Sequence, residues 1–222
     1  MFAAYKFSYP TYDWHQKLTL EVQTPSGVKS GSTVNYVALK KIWTPAFLGY
    51  DREYKFSGEA LALDLAPGKV LFVLLSGVDR PSQQGMAWGV FSDLIPEEKD
   101  SAGNYIFEAY RNISKARETR VVPRKNYPLF LTFADLNDRS TFAIVDPDNL
   151  EATFGPGFSV KQITLGITSE RLTNGAIIPY IPWSKWATGQ WLSGNSGKKL
   201  MEIKIGKITH ILSDGNFKQG KI

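Results

Sequence analysis

The chain has 222 residues, 43% of them apolar and 13% aromatic, enough for a real core in one large domain or two small ones. It contains no cysteine, which excludes disulfides, thiolate nucleophiles and Cys-bound metals, and no apolar run approaches the ~20 residues of a membrane-spanning helix. The net charge of +5 is unevenly placed, because residues 101–126 alone hold 6 Lys/Arg against 2 Asp/Glu, so attraction to acidic or phosphate-bearing partners centres there.

In chain order, Tyr5 to Tyr12 is aromatic and irregular around Pro10. Lys17 to Gln23 alternates, with Leu18, Leu20 and Val22 on one face, and predicts a half-buried strand. Thr24-Pro25-Ser26-Gly27 predicts a turn of type II, and Thr33 to Leu39 a returning strand, giving a hairpin. Trp43 to Arg52 reads as a loop. Glu59 to Leu65 and Val70 to Leu75 form a second hairpin about Ala66-Pro67-Gly68-Lys69. The apolar run of its second strand predicts a central position, covered on both faces. Ala87, Val90, Phe91 and Leu94 sit at helical spacing before Pro96. Residues 105–118 are the best helix, with Ile106, Ala109, Tyr110, Ile113 and Ala116 in one stripe.

Residues 127–168 read as one unit of strand, strand, capped helical turn and strand. Phe130, Leu131 and Phe133 give the first strand, and Phe142, Ile144 and Val145 the second. Asp146 caps a short helix with Pro147 at its first position, and Val160 to Ile167 forms the third strand. Ile177 to Pro182 cannot be a central strand, because two prolines remove ladder donors. Leu200 to Ile205 and Ile208 to Leu212 are the last strands, before a polar, loose tail. The expectation is an α+β fold, mainly antiparallel β, with about 8–10 strands in hairpins and two or three short helices. It is a single β-rich domain, 1–222, with a soft division near 96–104 and a loose tail after 213.

Catalytic signals are few. His15 and His210 lie in no metal-binding spacing, and two ordinary structural histidines explain them. Ser26–Lys29 and Ser196–Lys199 match Ser-x-x-Lys only in turn-rich stretches. Gly194 to Lys199 fails as a phosphate loop, since Leu192 stands where the first glycine belongs and Lys199 follows Lys198. Asp135, Asn137, Asp138, Asp146 and Asp148 offer oxygens, but turn-making and helix capping account for them better than calcium.

Two features suit recognition. Arg111, Lys115, Arg117, Arg120, Arg124 and Lys125 form the basic segment, whose simplest account is the solvated face of the 105–118 helix and its exit. Trp183, Trp186 and Trp191 fall within nine residues with no other apolar residue than Ala187. Indoles so placed serve as binding patches or as plugs over a sheet edge. The reading is therefore a non-enzymatic binding protein with no cofactor and no metal. It contacts a protein or glycan partner through Trp183, Trp186 and Trp191, with Arg111, Lys115, Arg117, Arg120 and Arg124 as a second contact. Two alternatives stand beside it. One is a carboxylate-dependent hydrolase on a glycan using Asp135, Asp138, Asp146 or Asp148, and the other is anion or nucleic-acid binding through 111–125.

Several strings also resemble a family of small uncharacterised proteobacterial proteins. These are Val145-Asp-Pro-Asp-Asn-Leu-Glu-Ala-Thr-Phe-Gly-Pro-Gly157, then Val160-Lys-Gln-Ile-Thr-Leu165, Trp14 to Pro25, Ser30-Gly-Ser32 and Tyr127 to Phe133. Together they span most of residues 12–180, while Lys198 to Ile222 is peculiar to this chain. Members of that family often begin with an export or lipoprotein-type leader and have no assigned activity. The resemblance implies the periplasm or cell envelope if a leader was trimmed before Met1, and the cytoplasm otherwise. It carries over no catalytic residue.

Overall fold

Alternation of apolar and polar side chains governs the first and longest hairpin. In the computed structural model, which describes residues 9–43, 52–77, 107, 109–181, 201–205, 208–212 and 217–219, β1 runs Thr11–Thr24 and β2 Gly27–Lys41. They pair antiparallel from Thr11↔Lys40 to Thr24↔Gly27. Trp14, Gln16, Leu18, Leu20 and Val22 face inward, while His15, Lys17, Thr19 and Glu21 face outward. The inward set contains the Leu18, Leu20 and Val22 face that the alternation predicts, and the strand runs six residues further at its start and one further at its end. Gly27 closes the turn at φ 112°, a conformation side-chain-bearing residues rarely adopt.

β3, Arg52–Glu59, pairs with β2 and begins at the last residue of the expected loop, over a stretch, 53–58, for which no element was expected. Its only large apolar residues are Tyr54 and Phe56, so its alternation is too short to stand out in the sequence. At Ala60 the chain leaves this sheet. β4, Leu61–Ala66, and β5, Lys69–Gly77, form the second hairpin in another sheet. Next come α1, Ala109–Lys115, β6, Thr119–Val121, and a 3-10 turn at Arg124–Asn126. β7 follows at Pro128–Phe133, and β8 at Phe142–Val145. α2, Glu151–Phe154, and β9, Ser159–Thr168, complete the central stretch. β10, Met201–Ile205, and β11, Ile208–Leu212, pair with each other, and β12 is Lys218–Gln219.

Two antiparallel sheets result, in the orders β12-β3-β2-β1-β9-β6 and β4-β5-β7-β8. The fold is mainly antiparallel β with two short helices among the described residues, as the composition of elements predicts. Leu20, Val22, Leu39, Ile163 and Leu165 of the first sheet and Leu63, Leu65, Leu71, Val73 and Phe130 of the second share one core. The sheets approach so closely at Gly31 that a Cβ there would lie 3.1 Å from Leu61 and Leu63 methyls. The far face of the second sheet is buried too. Val70, Phe72, Leu74, Leu129, Leu131 and Phe133 lie under Ile177, Ile181 and Phe217. That double burial is why β5 reads as an unbroken apolar run.

The expected order of strand, strand, helical turn and strand over 127–168 is present as β7, β8, α2 and β9, with β7 and β8 in the four-stranded sheet and β9 paired with β1 in the six-stranded one. The residues between β8 and β9 are the crossover from one layer to the other. Three expectations need correction. Within that crossover, Asp146 is no helix cap. Its Oδ1 accepts the Asp148 N–H at 2.9 Å, and Asn149 Oδ1 accepts the Ala152 N–H at 3.2 Å nearer the helix. The expected helix over 105–118 ends at Lys115, because the β-branched Thr119, Val121 and Val122 draw the chain into an edge strand. The tail is not loose throughout. Phe217 is buried, its carbonyl accepts the Ala60 N–H, and β12 pairs with β3. The expected helix around Ala87 to Leu94 and the division near 96–104 lie outside the described residues.

Between β9 and β10, residues 169–181 form a strap. The Glu170 carbonyl lies 2.6 Å from His15 Nδ1, and its carboxylate 2.7 Å from Lys17 Nζ. Thr173 exchanges two hydrogen bonds with the Val34 peptide. Glu59 then accepts the N–H groups of Gly175 and Ala176 at 2.6 and 2.9 Å. Ile177 and Ile181 finally reach the outer face of the second sheet. The strap therefore runs from the outside of one layer to the outside of the other.

Candidate functional site

α1 buries Tyr110 and Ile113, which fixes its remaining surface as the solvent face and puts Arg111 and Lys115 there. The helix is held by stacked cations and rings. The Arg52 guanidinium donates to the Tyr110 hydroxyl at 2.9 Å and lies 5.6 Å above its ring. Tyr12 and Phe107 rings are 5.3 Å apart, and Arg111 covers Tyr12 at 5.8 Å. Such contacts contribute on the order of 0.5–1 kcal/mol each near a surface.

Downstream, Arg117 donates to the Ala116 carbonyl at 2.8 Å. In β6, Arg120 Nε donates to Glu118 Oε2 at 2.9 Å. Arg124 makes a two-pronged contact with Asp148, with Nε–Oδ1 and Nη2–Oδ2 both at 2.7 Å, and its guanidinium lies 5.3 Å over the Tyr127 ring. The hydrogen bond from Arg124 holds the Asp148 carboxyl below its ordinary value, and the same bond raises the arginine. Burial, more than any charge, raises the Tyr127 hydroxyl.

The basic segment thus divides in two. Arg120 and Arg124 have carboxylate partners, and the exposed Arg111, Lys115 and Arg117 have none among the described residues. All five flank or lie in β6, whose three residues are exposed, Val121 to 59%. Trp183, Trp186 and Trp191 lie outside the described residues.

The candidate catalytic carboxylates hold turns. Asp135 Oδ1 accepts the Asn137 N–H at 2.8 Å, and Asp138 Oδ1 accepts the Ser140 N–H at 2.8 Å. Asp146 closes the turn at 146–149, and Asp148 is bound to Arg124. Each is exposed on its loop. No group of three His, Asp or Glu side chains close enough to share a metal occurs among the described residues. His15 sits edge-on to Tyr36 with its Nδ1 on the strap, and His210 lies in β11 opposite Ile203.

Two features escape the sequence. Trp43, 73% exposed, follows Lys40 and Lys41 at the end of β2, and the Lys-Lys-x-Trp string was the available signal. The other is the position of β6 as a terminal strand, with no strand beyond it among the described residues, which no residue pattern announces because edges are a property of sheet order. No family model, no curated protein and no solved structure matches this chain.

Proposed function

We propose that this is a non-enzymatic binding protein that holds an acidic partner protein along residues 111–125. The observation that carries the reading is the trio Arg111, Lys115 and Arg117, exposed cations without carboxylate partners among the described residues, beside an exposed edge strand. An acidic partner would supply the missing counter-charges, accelerating encounter and setting orientation more than adding raw affinity. The carboxylates of Asp135, Asp138 and Asp146 each accept a backbone N–H in a turn, a structural role that accounts for them without hydrolysis. The rings beside the segment favour protein over nucleic acid. Tyr12 and Tyr127 are already covered by Arg111 and Arg124, so neither presents a bare face for a base to stack on. The tryptophans at 183, 186 and 191 enter the same reading as a second contact, and the cell envelope as its place of action.

The test is binding of a fluorescein-labelled Glu-rich peptide, followed by anisotropy at low and raised salt. The double variant Lys115→Glu/Arg117→Glu is expected to weaken binding at least 10-fold and to flatten the salt dependence, with an unchanged melting temperature. Equal binding by the variant and the wild type would remove the basis of the proposal.

A further inference from the structure

We infer that β6 accepts an extended acidic peptide as a seventh strand of the six-stranded sheet. This rests on the acidic-partner reading above and specifies how that partner docks.

Ladder parity comes first. β6 pairs antiparallel with β9 as Thr119↔Gly166, Arg120↔Leu165 and Val121↔Thr164. The Val122 N–H donates to the Ile163 carbonyl at 2.8 Å, continuing that register. In an antiparallel ladder, residues that bond to the neighbour alternate with residues whose N–H and C=O both point away. Val122 and Arg120 are therefore the bonded positions. The peptide groups of Thr119 and Val121 point to the open side, and no hydrogen bond within the described residues takes them there. Antiparallel addition of one strand gives these two residues four bonds. The next outward position is Pro123, which has no N–H to offer and so ends the docking edge.

Side chains set the choice of partner. Thr119 and Val121 share the outer face of the sheet with Gly166 and Thr164. Position 166 has to be small, because a Cβ there would lie 2.5 Å from Thr119 Oγ1. Val121 on that face is 59% exposed. Lys115 and Arg117 precede the edge and Arg124 follows it. Two copies of this edge brought together antiparallel through Thr119 and Val121 would set Arg120 against Arg120, which like-charge repulsion opposes. An acidic strand meets the opposite condition. Peptide bonds then supply affinity, and alternate side chains on the partner supply specificity.

The test uses the peptide Ac-Glu-Val-Glu-Thr-Glu-Val-Glu-amide, labelled for anisotropy, against the full chain. A second peptide of the same sequence carries N-methyl groups on its five central residues, preserving charge while removing its donors. On the protein, Val121→Pro deletes one outward N–H and leaves the Arg120 and Val122 bonds to β9 intact, with Val121→Ala as its control. The expected result is at least a 10-fold loss for Val121→Pro and for the methylated peptide, and less than a 2-fold change for Val121→Ala. The methylated peptide acts on the wild-type protein, so the test survives if Val121→Pro unfolds. If the methylated peptide binds wild type as tightly as its parent while Lys115→Glu/Arg117→Glu loses binding, strand addition is overturned and the acidic-partner reading stands. If neither peptide binds, or the charge variant binds both as wild type does, both fall. Tighter binding of a 15-residue oligothymidylate, insensitive to Val121→Pro, would also overturn strand addition.

Discussion

Glu59 joins β2, β3 and the strap through its side chain and its own peptide. Its side chain is 0% exposed, and its two carboxylate oxygens take the N–H groups of Gly175 and Ala176. Its own peptide is held from the other side, since Asn35 Oδ1 accepts its N–H and Thr33 donates to its carbonyl. Gly58 permits that arrangement, because a Cβ there would collide with the Asn35 side chain. Glu59→Ala leaves two N–H groups without their acceptor, so it should cost about 2–4 kcal/mol in chemical denaturation, given charge-assisted bonds of roughly 1.5–3 kcal/mol each. Glu59→Gln retains one acceptor oxygen and should cost less. The surface pair Arg124–Asp148 behaves differently. Both side chains are about half exposed or more, so Arg124→Ala should cost less than about 1 kcal/mol. Its pH dependence has a definite sign. A carboxyl held below its ordinary value adds stability that is present above the unfolded-state pKa and is lost as pH falls through the folded-state one. The small melting-temperature gap between wild type and Arg124→Ala should therefore stay constant from about pH 8 to about pH 5 and close in stronger acid.

At the scale of elements, legibility followed contrast between faces. β1 is readable because one face is apolar and the other is not, and β5 because both are apolar. A substitution pair on β1 measures that contrast. Leu20→Ala empties a fully buried site between the sheets and should cost about 2–5 kcal/mol by denaturant titration. Thr19→Ala, one residue away on the outer face, should stay within about 0.5 kcal/mol. β3 was missed because Arg52, Glu53, Lys55 and Ser57 surround only two aromatic residues, a composition a loop shares. The ends of α1 were overextended because Ala116 continues the apolar stripe, whereas the β-branched residues just beyond already belong to β6. Strand pairing was less legible than strand order, because β9 takes its backbone partners from β1, more than 130 residues earlier in the chain, and not from its sequence neighbours β7 and β8. Of the candidate site, the cations were legible as a cluster. Their division into paired and unpaired groups was not, because Asp148 reaches Arg124 from 24 residues away in the chain.

At the scale of the whole molecule, the two layers present unlike exteriors. The four-stranded sheet is covered on its outside by apolar residues of the strap and by Phe217. The six-stranded sheet shows a polar exterior of Thr19, Ser30, Ser32, Gln162 and Thr164. Under the proposed function, a partner meets the cationic margin at β6 and not either broad face. The placement of β1 between β2 and β9 has a further bearing on how the chain acquires its shape. As synthesis proceeds, the first hairpin emerges complete but with one flank waiting, because the residues that pair with His15 to Gln23 lie at 159–168. Closure over so long a loop is slow, and refolding after a denaturant jump should run in the millisecond-to-second range typical of nonlocal β topologies, rather than in microseconds. On the ribosome, that waiting flank is a stretch of unsatisfied backbone open to other nascent chains, so the earliest need for a chaperone falls in the interval before the ninth strand appears.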